Sequence, residues 1–109
     1  MAERALGNFE FSILSVLISH PRDAHGASIH ERLEVATGRD YSVGAIYTAL
    51  DRMERKGYVG SSWGEPTAER GGRRKRYYRI KAPGIEAIRR TEAMYAAPSS
   101  FGLPTPGVA

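Results

Sequence analysis

A chain of 109 residues, 41% of them hydrophobic, holds material for one small domain with a modest core of its own, so association with a second copy is the natural remedy. Its formal charge of +4 favours an anionic partner, nucleic acid ahead of an anionic membrane surface, and a twofold assembly would double that field to about +8. The absence of cysteine excludes disulfides, thiolate zinc sites and cysteine nucleophiles together. No stretch reaches the length of a spanning helix, and no basic segment leads into a signal-like apolar run, so a cytoplasmic protein is expected.

Residues 1–7 read as a short leader, after which Asn8 offers a cap and Phe9 to Ser19 form a first helix, stopped by His20-Pro21. Phe9, Phe11, Ile13, Leu14, Val16, Leu17 and Ile18 go nearly all round that helix. One small domain cannot cover so wide an apolar surface, and the remaining face is expected to pack against a second subunit. A second helix runs from near Ala24 to Thr37-Gly38, with Ile29, Leu33 and Ala36 on one stripe and His30, Glu31, Arg32 and Glu34 outside. Gly38 to Tyr41 then make a short connection of the kind found between the helices of helix-turn-helix units.

The third helix is marked at both ends. Ser42 caps an interior from Val43 to Lys56, and Gly57 stands where a left-handed C-terminal cap belongs. At about 100° per residue, Val43, Ile46, Ala49, Leu50 and Met53 gather on a packing face, and Gly44, Thr48, Asp51, Arg52 and Arg55 occupy the other. That outer face begins with small residues and becomes cationic later, which suits a helix entering a major groove end-first. A strand-like run through Ser61, Ser62 and Trp63 follows. It leads through Gly64-Glu65-Pro66 and Gly71-Gly72 to a returning run, Arg73 to Ile80, and the whole reads as a hairpin with a long loop. Period-two alternation puts Tyr78 and Ile80 on one face and Lys75, Tyr77 and Arg79 on the other. Flanking glycines and interleaved tyrosines favour nucleic-acid contact for this basic run over a merely solvated face. A last helix begins at Pro83 and passes through Ile85, Ile88 and Met94 to about Ala96, with Tyr95 near its apolar side. Residues 97–109 are rich in Pro, Gly and Ser and read as a loose tail.

Other chemistries find little support. His20, His25 and His30 are five apart and do not align on one helical face, so no metal site is expected. Ser42 has Asp40 nearby but neither a nucleophile elbow nor a placed base, so no enzyme is expected. Glu65 and Glu69 lie beside arginines, where charge pairing that shapes the loop is the simpler role. Trp63 reads as an aromatic at the base of the hairpin rather than a stacking plate for a flat ligand.

Certain fragments taken together carry a family likeness. They are Leu6-Gly7 with Phe9-Glu10, Gly26 with Ile29, Ser42 through Leu50 with Asp51-Arg52, and Lys56-Gly57-Tyr58-Val59; the hairpin adds Gly64-Glu65-Pro66-Thr67, Glu69-Arg70-Gly71-Gly72 and Arg76-Tyr77-Tyr78. Between about Leu6 and Ile88 the chain resembles PadR-family transcriptional regulators, specifically their short, single-domain branch. The resemblance implies a winged helix-turn-helix repressor that dimerises through its first and last helices and binds a palindromic operator, released in some members by a small aromatic effector. It maps the family's helix tyrosine onto Tyr47 and its wing tyrosine pair onto Tyr77 and Tyr78. His25 stands where a tyrosine is usual, Lys81-Ala82 replaces the usual hydroxyl cap before the last helix, and the long C-terminal helical domain of larger members is missing.

The expected fold is therefore mainly α with a small β-hairpin: a winged helix-turn-helix over residues 1–96 with an extra C-terminal dimerisation helix. The expected partners are double-stranded DNA, a second copy and a small aromatic effector, with no membrane and no cofactor. Ser42, Gly44, Tyr47 and Thr48 are expected to meet the duplex, with Arg52 reaching phosphate or a base edge and Arg73, Arg74, Lys75, Arg76 and Tyr77 gripping from the wing. The expected dimer interface draws on Phe9, Phe11, Leu14 and Ile18 together with Ile85, Ile88 and Tyr95. The rival expectation is a winged-helix module that binds a protein partner and never reads DNA.

Overall fold

The structure, a computed structural model, describes residues 5–65 and 74–96. Arg73, Glu69, most of the wing loop and the 97–109 tail lie outside the described residues. Chain order is α1 (Asn8–Ser19), α2 (Gly26–Thr37), α3 (Val43–Arg55), β1 (Val59–Trp63), β2 (Arg76–Ile80) and α4 (Ala82–Ala96). This is the expected winged helix: helices with one two-stranded antiparallel sheet, in which Val59 faces Ile80 and Trp63 faces Arg76.

Local chemistry sets the helix ends, in places differently from the expectation. Asn8 is the first residue of α1 rather than its cap; Gly7 is the N-cap and has no side chain to bond with. The α2 helix starts later than Ala24, because Ala24 and His25 are extended and belong to the sheet side of the molecule. Tyr78 N–H donates to the Ala24 carbonyl at 2.8 Å, and His25 bridges to Tyr77. That pairing spans more than fifty residues of sequence, so no local pattern announces it. Ser28 then secures the first turn of α2 by accepting from His25 N–H at 3.0 Å. Gly38 closes the helix with φ 72°, as its position promises.

Both expected marks of α3 hold. Ser42 Oγ accepts from Ala45 N–H at 3.1 Å. At the other end Gly57, with φ 81°, donates to Glu54 O at 3.0 Å while Tyr58 N–H reaches back to Met53 O at 2.9 Å, a Schellman closure. Ile46, Ala49, Leu50 and Met53 are buried; Val43, the first residue of the helix and ahead of that stripe, is 45% exposed. Ala36 of α2, also expected inside, is exposed.

A single core gathers Ile13, Leu14 and Leu17 of α1, Ile29 and Leu33 of α2, the α3 stripe, Val59 and Tyr78 of the sheet, and Ala87 and Ile88 of α4. Thr91, a buried polar residue beside this core, is satisfied on both sides: its Oγ1 accepts from Leu6 N–H at 2.9 Å and donates to Ala87 O at 2.8 Å. It thereby binds the segment before α1 to α4. Pro83 is the second residue of α4, not the first, and buried Gly84 lies against the Tyr58 carbonyl, where a side chain would collide.

Candidate nucleic-acid interface

The outer face of α3 is open where small residues were expected. Ser42, Gly44, Tyr47, Thr48 and Arg52 are all exposed. Nothing lies within 4 Å of the position a Cβ would take on Gly44, so a flat surface can approach the backbone there. The Ser42 oxygen is occupied as a cap acceptor, which leaves its hydroxyl proton to donate outward. Thr48 Oγ1 donates to Gly44 O at 2.9 Å, so its hydroxyl proton is turned into the helix and its oxygen and methyl face out.

Tyr47 connects this face to its surroundings. Its phenol lies against Gly26, where any Cβ would meet the hydroxyl and ring, so the glycine that opens α2 is the seat of the tyrosine. Around it His25, Gly26 and Ala27 from the start of α2, Tyr47, and Trp63, Arg74, Lys75, Arg76 and Tyr78 from the hairpin line one concavity of about 470 Å³. From α3 it is Tyr47 that lines this concavity beside the basic hairpin; Ser42, Gly44, Thr48 and Arg52 lie outside its lining. The concavity carries the α2 N-terminus, whose amides favour anions, and exposed cations at Arg74 and Lys75.

The hairpin residues divide between two faces. Arg74 is exposed, and its Nε donates to Gly64 O at 3.0 Å. Arg76 points the other way from Tyr77, onto the Tyr78 face, where it pairs with Glu54 Oε1 at 3.0 Å. Tyr77 is half-buried, edge-on to the His25 ring at 5.5 Å between centroids, and lines a separate depression with Arg22 and Arg79 rather than the α3 groove. Trp63 is 58% exposed within the groove, with the Arg76 guanidinium 5.7 Å from its ring centre.

Burial depresses the His25 pKa below its ordinary value, and the nearby Lys75 charge adds to that, while Asp23 at 3.5 Å pulls in the opposite direction. Burial raises the Tyr78 phenol above its usual range. Both groups are therefore held neutral near pH 7, and the groove's charge comes from its arginines and lysine.

The PadR-like transcriptional regulator family model matches residues 13–90. The chain belongs to the PadR family. Solved relatives agree: a transcriptional regulator from Clostridium thermocellum shares 30% identity and a TM-score of 0.67, covering 79% of this chain and 78% of that one. A PadR family transcription regulator from Clostridium difficile is 25% identical with a TM-score of 0.67, over 82% of this chain and 88% of its own. The complex structure of hsRosR-S1 is 26% identical with a TM-score of 0.61, over 84% and 78%. No curated protein matches the sequence. The function that follows is that of a DNA-binding transcriptional regulator.

Elsewhere on this PadR chain, the residues expected at a dimer interface fall into three groups. Leu14 and Ile88 are 0% and 6% exposed, so the protomer's own core already occupies them and leaves no surface for a second chain to cover. Phe9 stacks on Tyr41 at 4.4 Å between ring centres, and Phe11 and Ile85 are half-buried. Ile18 and Tyr95 remain open at 46% and 73% exposure, joined by Val35 at 83% and Met94 at 59%. Asn8, Phe11, Thr91 and Tyr95 line a recess of about 280 Å³ between α1 and α4. The three histidines do not converge on one another; the structure instead brings His30 to Asp40 at 3.1 Å, with Glu34 close by. The i,i+4 spacing of His30 and Glu34 was visible in the sequence, but the folding back of Asp40 was not. Among the described residues no helix is long and apolar enough to cross a membrane.

Proposed function

We propose that this PadR-family chain is a cytoplasmic, homodimeric repressor that binds a palindromic operator and is released by a small aromatic effector. The concavity shared by Tyr47, the start of α2 and the Arg74–Lys75 end of the wing carries the DNA half of this reading, because it lets one rigid unit hold backbone and read a groove together. Ser42, Gly44, Tyr47 and Thr48 face the bases, Arg52 faces phosphate, and Arg74 and Lys75 grip the neighbouring backbone; Arg73 belongs with them by sequence. Exposed Ile18, Met94 and Tyr95 supply the apolar face that a second copy would bury. Release by an effector rests on the family likeness.

Selection from a random duplex library is the direct test. The expected product is an inverted repeat with half-sites roughly 34 Å apart, one helical turn. Recovery of no shared sequence by a folded dimer would overturn the reading. Calorimetry with planar aromatic compounds, with and without the selected duplex, tests the effector; equal affinity in both cases would mean no switching.

A further inference from the structure

Arg76 sits in the basic run of the wing, yet its guanidinium is already engaged. Nη2 lies 3.0 Å from Glu54 Oε1 and 2.8 Å from Ser61 Oγ, and Nε lies 3.0 Å from the same hydroxyl. Ser61 in turn donates to the second Glu54 oxygen at 2.7 Å. Both carboxylate oxygens and the hydroxyl are thus used in one closed triangle. The rings of Tyr78 and Trp63 stand 5.6 and 5.7 Å from the guanidinium carbon. Side chains of Arg76 and Glu54 are only 37% and 31% exposed, so solvent screens the pair less than it would a surface pair.

The three residues come from α3, β1 and β2. Among the described residues, every side-chain hydrogen bond joining α3 to the hairpin passes through Ser61 or Arg76. An arginine that left this triangle for a phosphate would strand a half-buried carboxylate facing polyanionic DNA. We propose that Arg76 is a positioning residue: with Glu54 and Ser61 it fixes the pitch of the wing against the reading helix, so that Arg74 and Lys75 meet the backbone beside the groove that α3 enters. This rests on the DNA-reading surface proposed above.

Salt dependence separates the two roles. The full chain is titrated with its own selected duplex over a range of KCl concentrations, well below the melting temperature of each variant. Each phosphate contact removed should flatten the slope of log affinity against log salt by about 0.9. Arg74→Ala and Lys75→Ala are expected to do so. Arg76→Ala, Arg76→Lys and Glu54→Gln should each weaken binding about tenfold with the wild-type slope intact, and Glu54→Gln with Arg76→Ala together should be no weaker than either alone. The proposal is overturned if Arg76→Ala flattens the slope while Arg76→Lys restores it. It is equally overturned if Glu54→Gln tightens binding, as removing a negative charge beside DNA would do were Arg76 a phosphate contact. Should Arg76→Ala fail to fold, Glu54→Gln and Ser61→Ala carry the same test. A wild-type chain that selects no duplex sinks the operator reading instead, and is recognised before any variant is made.

Discussion

Gly44 and Gly26 both bear on the proposed reading surface, for opposite reasons. Around Gly44 there is open space, so Gly44→Ala should fit the free protein and stabilise α3 by about 0.5–1 kcal/mol, the usual helix preference for alanine. The same methyl would hold the helix off a duplex, so affinity should fall while the melting temperature rises. Chemical denaturation and a binding titration on one preparation show whether the two move apart; parallel changes would mean that no close approach occurs there. At Gly26 the methyl would strike Tyr47, so binding should fall through a displaced tyrosine. His25 makes a prediction of its own. A base whose pKa is lower folded than unfolded binds fewer protons folded, so its stabilisation is fully present above its ordinary value of 6.5 and is lost as pH falls from there toward the folded value. The melting temperature should therefore drop between about pH 7 and pH 5, and His25→Gln should flatten that part of the profile.

Among the elements, α3 was the most legible because its limits and its face are local properties. Ser42, Gly57 and a stripe spaced three and four apart are all visible along the chain, and all but Val43, which stays exposed, act as read. Removing the cap by Ser42→Ala should cost about 1 kcal/mol, measured by urea denaturation. The start of α2 was less legible, since Ala24 and His25 are held extended by partners in β2. Packing of α4 was hidden for the same reason. Gly84 looks like an ordinary helix glycine in the sequence, but its neighbour is the backbone of Tyr58, which cannot swing aside. Gly84→Ala should therefore destabilise by about 1–3 kcal/mol despite alanine's better helix propensity, and a gain in stability would contradict the packing described.

For the whole molecule, charge and apolar surface are the governing quantities. A dimer carrying about +8 that neutralises roughly six to ten phosphates should lose affinity with salt at a slope between about −5 and −9. A flat response would be incompatible with backbone gripping. The assembly itself is tested by contrast between two kinds of apolar residue. Ile18→Asp and Tyr95→Asp alter exposed side chains and should shift sedimentation from dimer toward monomer with the protomer still folded, whereas Leu14→Asp places a charge in the core and should unfold the chain. A dimer indifferent to both exposed substitutions would move the interface elsewhere.

Helix order, the capped third helix, the hairpin and the net positive charge could all be taken from the sequence, because periodicity, caps and composition act over a few residues or none. The division of labour among cations could not. Arg74 and Arg76 are equal members of one basic run until a partner twenty-two residues away locks Arg76 onto Glu54, while Arg74, ahead of β2, stays exposed. Leu14 and Ile18 are likewise equal members of one apolar helix until packing encloses the first and leaves the second at the surface. Which side chain faces a partner depends on what the rest of the fold has already covered, and only the tertiary arrangement holds that information.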